Sequence, residues 1–576
     1  MLSRILSNGQ VTPRSNSVRE SMDSARTLIL IAAPMGVVVG AAIAAYDWVV
    51  NELLWTHVLL QPIEIQIASP ALAMLLAGLL LQLFRVRSSS MADEVVGAYH
   101  HPSGAMPTEA AGAKLAASIA TMGLGASAGM EGASKWLGAT IGSLMQRGLN
   151  KLGIRSVQWD VRSALLTGGS AGIAAIFRAP LSGAIMGVES PYKQDIARDA
   201  LLSSLVAAAT SFWTFTRLRP ATPYFPITFH YTLVSRDLLI AVPLGISAGL
   251  ASNLFLWTLA RLRERFNGLR LPIWARTFAG GVLLAGIAWI AYCVVGKPVT
   301  LQSGLPVAND LLNGKYALLM CLAIFALKLL ATSITFGAGG VGGLFVPTAT
   351  IGAALGACWD ALLAPSHPGL YTLLGIAAFS GASYSSILFA AVFIAESTGS
   401  VFLAAPALIA STFAYVVAAG VSNSRSQKTR REGLDEQLAT IPIRVVMSTQ
   451  LVAAFPAQTL EEFARTTLLE HHFKALPVVD SNQGFKGMIG MQHLRTIPMA
   501  EWKTSRVADV FDINAPTLGP NQSLAEAESA LLAGPYDYIP IVDPATNQLV
   551  GIISLSDVLR ARNAGPVDNV EPAAIG

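Results

Sequence analysis

Glu131 is the side chain with the clearest chemical potential in this sequence. It sits in the glycine-rich stretch Gly125–Ala133, which is otherwise uncharged and lies within apolar sequence. A carboxylate placed there is costly to bury and by default marks an ion or proton path. A second glycine-rich stretch, Gly337–Pro347, has the same setting. Glycine interrupts helices, and an interrupted helix in a bilayer leaves backbone N–H groups that need a partner. Free N–H groups at a helix start carry about half a positive charge and suit an anion. Such partial charges hold an ion loosely enough to let it leave again. The amides near Leu344 and Phe345, and near Glu131 and Gly132, are expected to line such a site, with Gly132, Gly342 and Gly343 permitting close backbone approach. Glu131, when ionised, can occupy the amide-lined position and block it; when protonated, it can swing aside.

Other chemistry is thinly represented. Lys135 lies one helical turn beyond Glu131. It can pair with Glu131, supply a fixed positive charge near the path, or snorkel to the membrane surface. Arg178 and Lys328 read as snorkelling or helix-packing residues. Cys293, Cys321 and Cys358 fall in apolar segments without metal-ligand spacing and read as small buried hydrophobes. A membrane metalloprotease would need His-Glu-x-x-His on a helix. His471 and His472 lack that spacing, and His100 and His101 sit beside Pro102. A magnesium transporter would need several carboxylates, such as Glu131, Glu189 and Glu396, facing one cavity. No catalytic centre, no metal site and no required cofactor are expected.

The elements that must position these residues are membrane helices. Of the 576 residues 53% are hydrophobic and 13% charged, and mean hydropathy is +0.53. That is too apolar for an ordinary soluble protein. A span needs about 20 apolar residues, and long apolar runs recur from residue 27 to residue 421. The net charge of +4 is small and gives no reason to expect a nucleic-acid partner. Arg4, Arg14, Arg19 and Arg26 before the first span, and Arg425, Lys428, Arg430 and Arg431 after the last, read as topology signals. They predict that both termini are cytoplasmic, in a multi-pass protein of a plasma or inner membrane with the lipid bilayer as its partner. The expected organisation is a segment 1–26, a transmembrane domain 27–421, a linker 422–440, two soluble modules at 441–500 and 501–563, and a disordered tail 564–576.

Both parts repeat internally. Ala139–Gly142 and Ala349–Gly352 share Ala-Thr-Ile-Gly at an offset of 210, and Glu189-Ser190 matches Glu396-Ser397 at an offset of 207. Duplicated, interrupted membrane segments point to a binding site between the halves. In the soluble part, Leu476–Asp480 followed by Gly487–Gly490 parallels Ile539–Asp543 followed by Gly551–Ser554. A 63-residue period predicts a β-α-β-β-α unit used twice, each too small to stand without the other.

These motifs together resemble the CLC family of anion channels and proton-coupled anion exchangers. Gly129–Ala133 resembles the family's Gly-Arg-Glu-Gly-Pro gate motif, Gly343–Pro347 its Gly-x-Phe-x-Pro motif, and Arg178–Gly183 its Asn-Ala-Pro-Leu-Ala-Gly helix. Ser88–Val95 stands in place of Gly-Ser-Gly-Ile-Pro-Glu. Residues 441–563 resemble a tandem pair of CBS domains. The resemblance implies an all-α polytopic fold with an inverted-topology repeat and broken helices, followed by an α/β tandem CBS module. It also implies a homodimer with one path per subunit for chloride or another small anion, gated by Glu131. Ser90, Gly132, Leu344 and Phe345 are the implied anion contacts, with Ser88 and Ser89 as alternatives to Ser90. The family's central tyrosine would fall near Gln427 or Lys428, and neither is tyrosine. Its inner glutamate would follow Glu189, where this chain has Ser190, which holds no proton at neutral pH. That favours a channel, with a proton-coupled chloride or fluoride exchanger as the alternative. Glu189 itself reads as a structural carboxylate at a helix end. In the second CBS copy, Ser554 and Asp557 match the nucleotide-ribose motif, so an adenine nucleotide is an expected ligand there; the first copy, Gly490–His493, lacks the aspartate.

Overall fold

The computed structural model describes residues 15–86, 88–101, 103–153, 160–220, 222–227, 229–363, 365–430, 438, 441–468 and 475–564. Arg4, Arg14, Arg431, the His471–His472 pair and nearly all of the 564–576 tail lie outside the described residues. The chain divides into two compact units, Met1–Arg431 and Glu432–Gly576.

The first unit is helical. It opens with α1 (Ser15–Asp47), continued by a π-helical stretch Trp48–Trp55 and α2 (Thr56–Leu59), and then α3 (Ile63–Leu83). The helices α4 (Met91–His100), α5 (Ala111–Gly123), α6 (Glu131–Lys151), α7 (Val161–Phe177), α8 (Pro180–Glu189) and α9 (Leu201–Leu218) complete the first half. The second half holds α10 (Ser235–Gly268), α11 (Ile273–Val295), α12 (Leu305–Leu312), α13 (Leu318–Ala338), α14 (Phe345–Leu363), α15 (Leu370–Tyr384), α16 (Ile387–Thr398) and α17 (Ala404–Ala418). Among the described residues, seven helical segments are long and apolar enough to cross a membrane. The shorter α7 and α15 are apolar on every side and almost wholly buried, as a helix at the centre of a bundle must be.

The duplication is visible in the backbone. Arg178 ends α7 in the left-handed conformation at φ 55°, and Ser385 ends α15 likewise at φ 52°. In each half a short helix follows at once. Glu189, at the end of α8, accepts N–H bonds from Leu388 at 3.2 Å and Phe389 at 3.0 Å in the first turn of α16. Glu396, near the end of α16, accepts from Leu181 N at 2.9 Å and from Ser182 N at 2.8 Å in the first turn of α8. Each carboxylate therefore caps the other half's helix, where free amides and the helix dipole favour it.

Glycines set the helix crossings. A Cβ on Gly168 of α7 would lie 2.1 Å from the carbonyl oxygen of Gly138 in α6, and one on Gly375 of α15 would lie 2.3 Å from that of Gly352 in α14. These matched crossings correct the register implied by the Ala-Thr-Ile-Gly signatures. Gly138 and Gly352, like the helix starts Glu131 and Phe345, lie 214 positions apart. The signatures are offset from this by one helical turn. Glycine recurs every fourth residue on these faces, so adjacent turns resemble each other in sequence.

The second unit contains two antiparallel hairpins, β1 (Ala475–Val479) with β2 (Phe485–Gly490) and β3 (Tyr538–Val542) with β4 (Leu549–Ser554). Its helices are α18 (Leu460–Glu462, continued as a π-helical turn to Leu468), α19 (Met491–Leu494), α20 (Leu524–Ala533) and α21 (Leu555–Ala564). The expected first strand of each copy is a single parallel bridge, Ala454 to Val478 and Leu518 to Ile541. The copies share a small core of Ala475, Met488, Ala515, Tyr536 and Tyr538, and the Tyr538 hydroxyl donates to the Ala475 carbonyl.

Candidate functional site

The N-terminal ends of α4, α6 and α14 converge. Gly129 and Gly343 exchange two backbone hydrogen bonds of 2.7 Å each, and Ser90 bridges to Gly342. This contact needs bare backbone: a Cβ on Gly132 would lie 2.6 Å from the Gly342 carbonyl, and one on Gly343 would lie 2.2 Å from the Glu131 carboxylate. Both helices are therefore interrupted here. Pro347 is tolerated in the first turn of α14, where N–H groups have no intrahelical acceptor.

Glu131 is the first residue of α6 and only 3% exposed. Its Oε1 accepts the N–H of Phe345, the first residue of α14, at 2.5 Å. Its Oε2 is buried with no hydrogen-bond partner among the described residues. The carboxylate thus occupies the donor end of a second helix, and Glu131 lines a cavity of about 70 Å³. That space admits small ions and waters.

Ser90, Gly132 and Leu344 line the cavity beside Glu131. Ser89 lines it too, whereas Ser88 faces an adjoining vestibule and accepts the Ser90 N–H at 3.2 Å. Phe345 contributes its amide rather than its ring. The ring packs among Phe177, Phe389 and Phe393 at centroid distances of 5.0, 5.0 and 5.2 Å. This aromatic cluster packs behind the first turn of α14.

Lys135 neither pairs with Glu131 nor snorkels. It is 3% exposed, lines the cavity, and donates from Nζ to Ser190 Oγ at 2.7 Å. Its stem packs beside Gly169 of α7, where a Cβ would lie in ordinary contact at 3.5 Å from Lys135 Cγ. Lys328 is also fully buried, donating to the carbonyls of Thr300 at 3.1 Å and Gln302 at 2.7 Å. Arg178 donates to Thr222. Glu189 and Glu396 are committed to the helix caps described above and do not meet Glu131 in one cavity, so the carboxylate cluster of a magnesium transporter is not formed.

Sequence reasoning missed Tyr384 and Arg263, which both line the cavity. Gln427, near the expected tyrosine position, is buried and donates to the Tyr192 carbonyl at 2.8 Å. The aromatic side chain comes from α15 instead, with Tyr384 5.7 Å from the Phe345 ring. The repeat held a signal for it. At the offset of 207, Tyr384 matches Phe177, which packs on Phe345 from the other half. Arg263 lies on the polar end of α10 and carried no motif.

In the second unit, Ser554 Oγ donates to Asp557 at 2.6 Å and Asp557 also accepts the Ser554 N–H at 2.9 Å. The pair thereby caps α21. Ser554 borders an open pocket with Tyr536, Asp537 and Ser556. In the first copy His493 takes the corresponding place, its Nδ1 accepting the Gly490 N–H at 3.0 Å.

The model of the voltage gated chloride channel family matches residues 72–419, and that of the CBS domain matches 443–499 and 507–564. The chain belongs to the voltage-gated chloride channel, or CLC, family. A putative chloride channel protein, ClcB-like, from Ralstonia nicotianae is 28% identical over 61% of this chain and 81% of its own length. An H(+)/Cl(-) exchange transporter, ClcA, from Vibrio campbellii is 24% identical over 52% of this chain and 64% of its own. The crystal structure of a eukaryotic CLC transporter superposes on 92% of this chain and 97% of its own length, with a TM-score of 0.59 at 17% identity. The CLC fold thus accounts for the broken, paired helices, and the chain is a multi-pass anion-transport protein of the membrane with a tandem CBS module. Membership in this family overturns the magnesium-transporter reading.

Proposed function

We propose that this CLC protein is a passive channel for chloride or a similar small anion, opened and closed by Glu131. One observation carries this reading: the Glu131 carboxylate sits on the Phe345 amide at 2.5 Å, with its second oxygen unpaired among the described residues. A halide would need the same donor. An ionised carboxylate and an anion compete for it, so the path is blocked while Glu131 holds the amide. Protonation weakens the carboxylate as an acceptor and removes its repulsion for an incoming anion. The resemblance puts an inner proton-carrying glutamate at Ser190, and a serine there supports a channel over an exchanger. By the same resemblance the protein works as a homodimer, both termini face the cytoplasm, and the CBS pair regulates it. An adenine nucleotide bound beside Ser554 and Asp557 would be the regulatory ligand.

The test is anion flux from liposomes loaded in parallel with chloride, fluoride and nitrate, across a pH series, for the wild type and Glu131→Gln. The expected result is chloride flux that rises toward acid pH in the wild type and is insensitive to pH in the variant. An unchanged pH response in Glu131→Gln would remove Glu131 from gating. Vesicles tight to every anion would remove the transport reading.

A further inference from the structure

The cavity contains a buried cation that the Glu131 gate does not use. Lys135 lies one turn along α6 from Glu131, lines the same cavity, and is 3% exposed. Its only hydrogen bond among the described residues goes to Ser190 Oγ at 2.7 Å, and that hydroxyl in turn donates to the Gly187 carbonyl at 3.1 Å. An ammonium has three protons to donate. A buried ammonium held by one neutral hydroxyl is strongly unfavourable unless a counter-charge accompanies it.

Three other charged side chains face this cavity: Glu131 from α6, Asp93 from α4 and Arg263 from α10. None forms an ion pair with Lys135 among the described residues. Glu131 is turned onto the Phe345 amide. Asp93 is drawn toward the 424–426 segment, where its Oδ1 accepts from Ser424 Oγ at 2.6 Å and Ser426 N at 2.9 Å. With both carboxylates ionised, the two acids balance the two bases. Protonation of Glu131 leaves a surplus positive charge beside an ammonium with protons to spare.

Resting on the anion-transport reading above, we propose that Lys135 and Ser190 form a second anion site in the cavity that Glu131 also lines, with the anion as the ammonium's counter-charge. The site takes a small monovalent anion. Its occupancy rises when Glu131 becomes neutral, so gate opening and loading of this site are linked. It differs in kind from the amide site, because an ammonium rather than helix-end partial charges holds the ion.

Bromide located by anomalous scattering in crystals of the full-length protein, together with calorimetric chloride titration, tests this. In Glu131→Gln protein, bromide is expected within hydrogen-bonding range of Lys135 Nζ. Lys135→Met should abolish that peak and weaken chloride binding roughly tenfold to hundredfold, the loss of one charge-assisted hydrogen bond. Lys135→Arg should restore it. Should Lys135→Met not fold, Ser190→Ala keeps the ammonium and is expected to weaken binding severalfold. Bromide at the Phe345 amide but not at Lys135, or equal chloride affinity in Lys135→Met and wild type, would overturn this proposal alone. Loss of pH-driven flux in Lys135→Met with chloride affinity intact would also overturn it, making the lysine a neutral-amine proton relay. Absence of halide at both positions, with vesicles tight to anions, would instead overturn the reading beneath it.

Discussion

At the scale of single residues, the proposed gate depends on a glycine as much as on an acid. Glu131 reaches the Phe345 amide only because Gly343 has no side chain; a Cβ there would lie 2.2 Å from Oε1 and 2.4 Å from the Gly132 nitrogen. Gly343→Ala should therefore expel the carboxylate from the amide while leaving it chemically intact. The expected outcome is a flux whose pH response is flattened, as in Glu131→Gln, read as the ratio of chloride efflux at acid and neutral pH. A normal ratio would mean that the backbone yields and the acid keeps its place. The sequence revealed Glu131 and its glycines because a lone charge in apolar, helix-breaking sequence has few readings. It did not reveal where Lys135 points. Spacing along one helix offers only neighbours three or four residues away, whereas the partner of the lysine, Ser190, lies 55 positions on in the sequence. Tyr384 was hidden for a similar reason, since it reaches the cavity from an element remote in sequence from the expected position.

At the scale of elements, broken helices hold their places through close crossings. Gly168→Ala would drive a methyl group to 2.1 Å from the Gly138 carbonyl, and overpacking of this kind costs about 1–3 kcal/mol. A clear drop in the thermal unfolding midpoint in detergent is expected. Gly148, also in α6, has nothing within 4 Å of its built Cβ. Gly148→Ala should be neutral or stabilise the helix by up to about 1 kcal/mol, and equal effects at both positions would tell against the crossing as the cause. The repeat was legible where a polar residue anchors it, as with Glu189 and Glu396. It was misread by a turn where only glycine and alanine recur. In the soluble unit, α20 starts with a reciprocal cap: Ser523 N and Oγ donate to Glu526 at 2.8 and 2.9 Å. These bonds, chiefly that from the Ser523 amide, hold the Glu526 carboxyl below its usual range. A depressed folded value means the cap contributes above the ordinary carboxylate range and is lost as pH falls through the folded value. Ser523→Ala should speed amide exchange in the first turn of α20 at neutral pH and shrink the difference between neutral and acid pH. Unaltered exchange would show the cap to be dispensable.

At the scale of the whole molecule, the question is whether anion movement and proton movement are tied. Two helices from opposite halves meet end to end at Gly129 and Gly343, and Glu131 bridges them. In the proposed mechanism a proton on Glu131 controls anion entry from one position, but coupling requires a second proton carrier on the far side. The remaining carboxylates of the repeat, Glu189 and Glu396, are bound to helix ends by two and three hydrogen bonds respectively. Protonation of either would weaken its cap, and Ser190 offers a hydroxyl where the family resemblance implies a mobile acid. Protons should therefore set how often the path opens without being counted against anions. The measurable consequence is a reversal potential, recorded from the protein in planar bilayers at fixed chloride, that stays at the chloride equilibrium value when a pH gradient is imposed, while current amplitude changes. A potential that moves with the pH gradient would mean that a proton crosses for a fixed number of anions. Repeating the recording with Lys135→Gln would then show whether the buried ammonium carries that proton, since the shift would vanish with it.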